Sequence, residues 1–342
     1  MSTRAFITGV SGPRLTDEER AFLRVSQPWG FILFKRNIET PDQVSQLVSD
    51  LRDSVIQPDA PVLIDQEGGR VQRLNAPHWP VYPPGAVFST LYDVDPVSGL
   101  RAAFLSSRLI AADLHDLGIT VDCLPLADVP VEGADGVIGN RAYGTESGKV
   151  AAIGRAVTDG LEQGGVSPVL KHIPGHGRAT ADTHFKLPVV DTSRSELERT
   201  DFAAFRPLAD LPMAMTAHVV FSDLDAAQPA TTSATIIDQV IRGTIGFQGL
   251  LMSDDVSMNA LAGTIAERTR VIVAAGCDMV LHCNGKLDEM RDVVAETPLL
   301  AGKALQRAQR ALDARKPPVA FDRVAARAEL DDLISRAGSA IA

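Results

Sequence analysis

Eight short, β-rich apolar runs alternate with helical patterns along this chain, and that alternation constrains its fold more than any other feature. The runs cover residues 5–8, 30–34, 62–65, 119–124, 169–172, 213–217, 250–254 and 279–282. Helical patterns at 16–25, 41–55, 98–117, 235–242, 264–275 and 287–295 fill the intervals. So does a stripe of Val150, Ile153, Val157 and Leu161, which opens near Ser147 and ends at Gly164-Gly165. Apolar residues at such spacings turn one face of each helix toward a sheet. Strand-then-helix units predict a parallel sheet, and eight of them predict closure into a (β/α)8 TIM barrel. An open doubly wound sheet is the competing architecture, but its glycine-rich phosphate loop is missing. The nearest candidate, Gly175-His-Gly-Arg-Ala-Thr180, has threonine where the third glycine belongs.

A barrel of this kind needs about 250 residues, and the chain has 342. The surplus falls in the 75–97 connection, the 171–188 loop and the 321–342 tail. Pro317-Pro318 separates a helical 300–314 from an amphipathic 321–336, which reads as a docked tail. One domain over 1–342 is therefore expected, a barrel with elaborated loops and a helical tail from about residue 300. Acidic residues outnumber basic ones 43 to 33, a formal net charge of −10, so the summed field repels phosphate backbones and anionic lipid. Neither nucleic acid nor membrane is an expected partner. Cys123, Cys277 and Cys283 make no disulfide framework. No apolar run reaches the ~20 residues of a membrane helix, and Gly9 and Pro13 interrupt the N-terminal stretch before a signal-peptide core can form. A soluble, cytoplasmic protein is expected.

Polar residues gather where the expected strands end, the face on which barrel loops converge. Asp65 closes the third run, Lys171 and His172 the fifth, Asp254 and Asp255 the seventh and His282 the eighth, while His218 follows the sixth. Residues 171–184 hold Lys171, His172, His176, Asp182 and His184, and Pro174, Gly175 and Gly177 argue for a shaped loop there. A histidine oriented by a carboxylate exchanges protons near neutral pH. Asp182 and His184, two apart in extended chain, can meet on one side. The three histidines could instead hold zinc. Lys171 could form a Schiff base or simply hydrogen-bond an oxygen-rich ligand. Arg70, Arg73 and Arg141 stand in glycine-containing contexts suited to clamping hydroxyls or carboxylates. Alternation puts Asp254 and Asp255 on opposite sides of their strand, so that only one faces the barrel mouth while the other caps the following turn.

Four segments together resemble the compact bacterial β-N-acetylhexosaminidases of glycoside hydrolase family 3. They are Leu63-Ile-Asp-Gln-Glu-Gly-Gly-Arg-Val-Gln-Arg-Leu74, the 139–144 stretch, Lys171-His-Ile-Pro-Gly-His-Gly177 with Asp182-Thr-His184, and Ser253-Asp-Asp-Val-Ser-Met258. The resemblance implies a barrel that removes terminal non-reducing β-linked N-acetylglucosamine with retention of configuration, using neither cofactor nor metal. It makes Asp254 the nucleophile, His184 the acid/base and Asp182 the orienting partner of His184. Asp65, Arg73, Arg141, Lys171 and His172 would hydrogen-bond the sugar. Arg70 gains no role from the match, and His176, His218 and His282 are left as structural. The resemblance further implies a monomer that recycles peptidoglycan fragments, chiefly 1,6-anhydro-muropeptides, in the cytoplasm.

Ile173, Thr183 and Val256 stand where the family often has an aromatic residue, serine and leucine, and none removes a group the chemistry needs. Three alternatives remain. Glucosidase- or xylosidase-like specificity goes in the family with an acidic acid/base and a second domain. A metal-dependent hydrolase would use His172, His176 and His184. A non-catalytic sugar-binding barrel would be expected to lack one of Asp254, Asp182 and His184.

Overall fold

The computed structural model describes residues 3–179 and 187–341, so Asp182 and His184 lie outside the described residues. Eight parallel strands close into a barrel: β1 (Arg4–Thr8), β2 (Pro28–Leu33), β3 (Val62–Ile64), β4 (Val121–Asp122), β5 (Ser167–Ile173), β6 (Met213–Thr216), β7 (Leu250–Asp255) and β8 (Met279–His282). Each bonds its sequence neighbours, and β8 closes on β1, so the (β/α)8 architecture is as expected. β4 is shorter than its apolar run. The Leu124 N–H turns back to the Asp122 carbonyl and Pro125 has no N–H to offer, although the Leu124 and Pro125 carbonyls still accept from the Val169 and Lys171 N–H groups of β5.

Alternate strand residues fill the barrel interior, as the two-residue period requires. Ile7, Ile32, Leu63, Val169, Met215, Met252 and Leu281 are all buried there. The opposite faces of the strands pack on the helices in a second apolar cluster. Local sequence starts several of these helices cleanly. Thr16 and Glu19 form a reciprocal capping box at Asp17–Ser26, and Thr264 and Glu267 do the same at Ile265–Ala275.

The 75–97 connection contains a helix, Gly85–Val94, that the sequence reading leaves as irregular chain. It starts without a capping side chain, and Gly85 sits where a Cβ would lie 2.2 Å from the Arg141 carbonyl oxygen. Tertiary contact, not local signal, specifies it. The expected helix at 235–242 is wound as a π-helix over Ile236–Thr244. The tail helix, Arg323–Ile341, docks on Pro96–Asp116. Ala326, Leu330 and Leu333 are buried, and Arg323 pairs with Asp116 at 2.7 Å. Among the described residues, no helix is long and apolar enough to cross a membrane.

The helix Gly302–Asp313 covers the end of the barrel at which the strands begin, and its Ala308 and Ala311 join the interior cluster. Asp278, just before β8, is the polar pin of this closure. It accepts from Arg242 and Arg307 at 2.9 Å each and from the Leu251 N–H at 3.0 Å, and it is 6 % exposed. Removing one partner from a buried cluster strands the remaining charges. Asp278→Ala is therefore expected to cost about 3 kcal/mol in urea unfolding. Arg101→Ala, which breaks the half-exposed pair with Glu329, is expected to cost less than ~1 kcal/mol. Equal costs would contradict this assignment.

Candidate active site

At the end of the barrel where the strands finish, Asp65, Arg73, Arg141, Lys171, His172 and Asp254 all line one cavity of about 280 Å³. That volume is near the lower end of the ~300–1,000 Å³ typical of small-ligand sites. Of the strand-end residues picked out from the sequence, Asp65, Lys171, His172, Asp254 and Asp255 thus converge on one hollow, while His218 and His282 do not line it.

The cavity wall is organised by Lys171, which points from β5 and is 1 % exposed. Its ammonium donates to Asp65 at 2.9 Å and lies 2.6 Å from Glu67. Arg73 reaches the other oxygen of Asp65 at 3.0 Å, and Arg141 grips Glu67 through two bonds of 2.8 and 2.7 Å. Burial alone would raise both carboxyls, but Lys171 and Arg73 hold Asp65 well below the usual range. Arg141 and Lys171 likewise hold Glu67 at about 2. Burial would depress the Lys171 ammonium, yet the two carboxylates raise it above its ordinary value. A Schiff base needs a neutral amine, so this setting favours the hydrogen-bonding reading of Lys171. Beneath the cluster, Asp122 receives the Gln66 N–H at 3.0 Å while its Oδ2 has no partner among the described residues, and burial pushes its carboxyl far up.

The turn that folds the chain back and returns Arg73 to Asp65 depends on Gly68 and Gly69, with φ of 95° and 56°. A Cβ on Gly68 would lie 2.4 Å from the Pro83 carbonyl oxygen, so only glycine fits. Arg70, a candidate clamp from its sequence context that the family resemblance left without a role, donates to the carbonyls of Gly136 at 2.8 Å and of Val137. It thereby ties down the segment leading to Arg141.

Asp254 sits opposite on β7. Its Oδ1 accepts the Asp255 N–H at 2.8 Å and its own N–H donates to Thr216 Oγ1 at 3.3 Å. Burial opposes its charge, but His218, His172 and the Asp255 N–H outweigh burial and keep the carboxyl below its ordinary value. The Asp255 side chain caps the next turn, accepting from Ser257 N–H at 3.0 Å, Ser257 Oγ at 2.6 Å and Cys283 N–H at 3.1 Å. The expected division of labour holds, with one correction. Both residues contribute atoms to the cavity lining, because a register shift between Met252 and Asp255 breaks the strict alternation.

His218 is fully buried, with Nε2 3.0 Å from the Asp255 carbonyl oxygen and Nδ1 2.7 Å from Thr231 Oγ1. His282 is also buried, close to Glu289. His176 is different: it lines the cavity, its ring centre 5.6 Å from that of His172. Among the described residues no group of three His, Cys, Asp or Glu side chains is arranged to hold a metal.

Residues 5–314 match the model of the glycosyl hydrolase family 3 N-terminal domain. The chain belongs to glycosyl hydrolase family 3. It is similar to the β-hexosaminidase of Alkalilimnicola ehrlichii, 38 % identical over 280 residues that cover 81 % of this chain and 79 % of that protein. The β-hexosaminidase of Bordetella avium is 34 % identical over 313 residues, 90 % and 88 % of the two chains. NagZ from Neisseria gonorrhoeae, solved in complex with N-trifluoroacetyl-D-glucosamine, superposes with a TM-score of 0.87 at 30 % identity, covering 98 % of this chain and 99 % of that one. As a family 3 member the chain is a glycosidase.

Two residues of this family 3 site escaped the sequence reading. Glu67 shares a side with Asp65 at a spacing of two, the same rule applied to Asp182 and His184. Asp128 is a lone carboxylate after the apolar stretch 123–127, and it is fully buried against His172.

Burial, aided by the charge of His172, lowers the His176 imidazole to about 4. An unfolded histidine titrates near 6.5, so between pH ~6.5 and ~4 the unfolded chain takes up a proton that the folded ring refuses, and stability falls as pH falls. Glu67 and Asp65 act lower, below pH ~4.5. His176→Gln is expected to lose about 2 kcal/mol less than the parent between pH 7 and 4.5 in urea unfolding. Parallel stability profiles would show that the ring is not held neutral.

Proposed function

We propose that this glycosidase is a retaining exo-β-N-acetylglucosaminidase. The observation that carries the reading is an ionised, partly exposed Asp254 at a strand end, in the same cavity as the Asp65–Lys171–Arg73 cluster. A carboxylate there has the charge for nucleophilic attack, and the cluster offers donors and acceptors for sugar hydroxyls. The β-hexosaminidase relatives and the N-trifluoroacetyl-D-glucosamine bound by a structural neighbour support the same substrate.

In this reading Asp254 attacks the anomeric carbon, and the bond to the aglycone oxygen breaks with its electron pair on that oxygen. His184 protonates the leaving oxygen as the glycosyl-enzyme forms. A water molecule then gives its proton to His184 and its oxygen to the anomeric carbon, which frees the Asp254 carboxylate. Asp182 holds His184 in the right tautomer and stabilises its charged form. Asp65, Arg73, Arg141, Lys171 and His172 bind the terminal sugar.

The substrates are N-acetylglucosaminyl-1,6-anhydro-muropeptides, the setting is cytoplasmic peptidoglycan recycling, and the enzyme works as a monomeric single barrel domain without cofactor or metal. Such fragments are anionic while the chain carries −10, so attraction comes from the local arginines and lysine and not from the net field.

Asp254→Asn is expected to lower kcat/KM on an aryl β-N-acetylglucosaminide by at least about 10³-fold with unchanged thermal unfolding. Full activity would refute the assignment. His184→Ala is expected to lose at least about tenfold more kcat/KM on a poor leaving group than on a dinitrophenolate, which needs no proton. Equal losses would remove His184 from the acid role. Aryl β-glucoside should be a far poorer substrate than the N-acetyl compound, and the reverse order would favour glucosidase specificity.

A further inference from the structure

Asp128 is 0 % exposed, lies next to the site and belongs to none of the roles given above. It follows Leu126, which bridges to Lys171, so it is placed beside the end of β5. Its two oxygens divide their work. Oδ1 accepts two main-chain donors, the His176 N–H at 2.6 Å and the His172 N–H at 3.3 Å. Oδ2 lies 2.7 Å from His172 Nδ1. The other ring nitrogen of His172, Nε2, has no hydrogen-bond partner among the described residues, and His172 lines the cavity.

We propose that Asp128 is a positioning residue that fixes the tautomer and plane of His172, so that Nδ1 carries a proton bound to Asp128 and Nε2 is presented to the sugar. An ionised carboxylate only accepts. Burial would raise the Asp128 carboxyl, but the charge and hydrogen bond of His172, with the charge and main-chain N–H of His176, keep it below the usual range, so it acts as an acceptor near neutral pH. The ring must then be the donor at Nδ1. In the neutral ring this leaves Nε2 with a lone pair able to accept a sugar O–H, and the same bond stops the ring from rotating. The main-chain bonds serve a second end: they hold the backbone of 172–176 against the segment after β4. Gly177 packs there so tightly that a Cβ would lie 2.1 Å from the Val129 carbonyl oxygen.

Asp128→Asn separates the two tasks. The amide oxygen can keep both main-chain bonds, while the amide NH2 faces Nδ1 and forces the ring to present Nε2–H instead, as an amide does when it replaces the orienting carboxylate of a histidine. In ¹⁵N-histidine NMR of the full chain near neutral pH, the His172 Nδ1 signal, assigned by its loss in His172→Ala, is expected to be protonated in the parent and unprotonated in Asp128→Asn. With an aryl β-N-acetylglucosaminide, Asp128→Asn is expected to lower kcat/KM by about 10–100-fold. Asp128→Asn combined with His172→Ala is expected to stay within about threefold of His172→Ala alone, because residues acting as one unit do not add.

The kinetic arm rests on the proposed sugar contact of His172. An inactive parent chain, or a fully active His172→Ala, overturns that contact and this proposal with it. Expected behaviour of both beside a fully active Asp128→Asn, or losses that multiply in the double variant, overturns this proposal alone. If Asp128→Asn does not fold, an unprotonated Nδ1 in the parent still overturns it and a protonated Nδ1 supports it.

Discussion

An ammonium group taken out of water survives only where anions replace its hydration, and the end of β5 places Lys171 in that position. The structure around it is organised by the need to satisfy that charge. Asp65 and Glu67 supply the anions. Holding two carboxylates side by side calls for further cations, Arg73 and Arg141. Those arginines come from separate loops, so neutralising one lysine draws the 65–73 and 136–141 segments onto the same face of the barrel. The result is a rigid rim of alternating donors and acceptors beside an ionised Asp254, which suits a ligand dense in hydroxyl groups.

The same electrostatics weigh the alternative chemistries. A lysine whose charge is favoured by two carboxylates is a poor Schiff-base nucleophile. A His172 whose Nδ1 is committed to Asp128 has only one nitrogen left for any ligand. The acidic net charge, which argues against nucleic acid, says little about the Lys171 cluster, where three cations, Lys171, Arg73 and Arg141, face two anions, Asp65 and Glu67.

Barrel strands and the residues closing them were readable because period-two alternation and chemistry coincide there. Asp65, Lys171, His172 and Asp254 each terminate an apolar run, and a polar residue at such a point has few places to go except the mouth. Glu67 and Asp128 were harder, since each owes its role to a partner distant in sequence. Glu67 meets Arg141 and Asp128 meets His172 only after the barrel closes. The helix Gly85–Val94 was hidden for a similar reason, because the contact of Gly85 with the Arg141 backbone, not a cap, sets its start. Strict alternation misjudged Asp255, whose strand carries a register shift just where it reaches the cavity.

The central claim is that Asp254 forms a covalent bond to the sugar during turnover. A slow fluorinated N-acetylglucosaminyl donor, mixed with the enzyme and followed by intact-mass and peptide mass spectrometry, tests it most directly. The account predicts one added glycosyl group per chain, mapped to the peptide carrying Asp254 and absent from Asp254→Asn. Turnover with no adduct, or an adduct on any other residue, would contradict it.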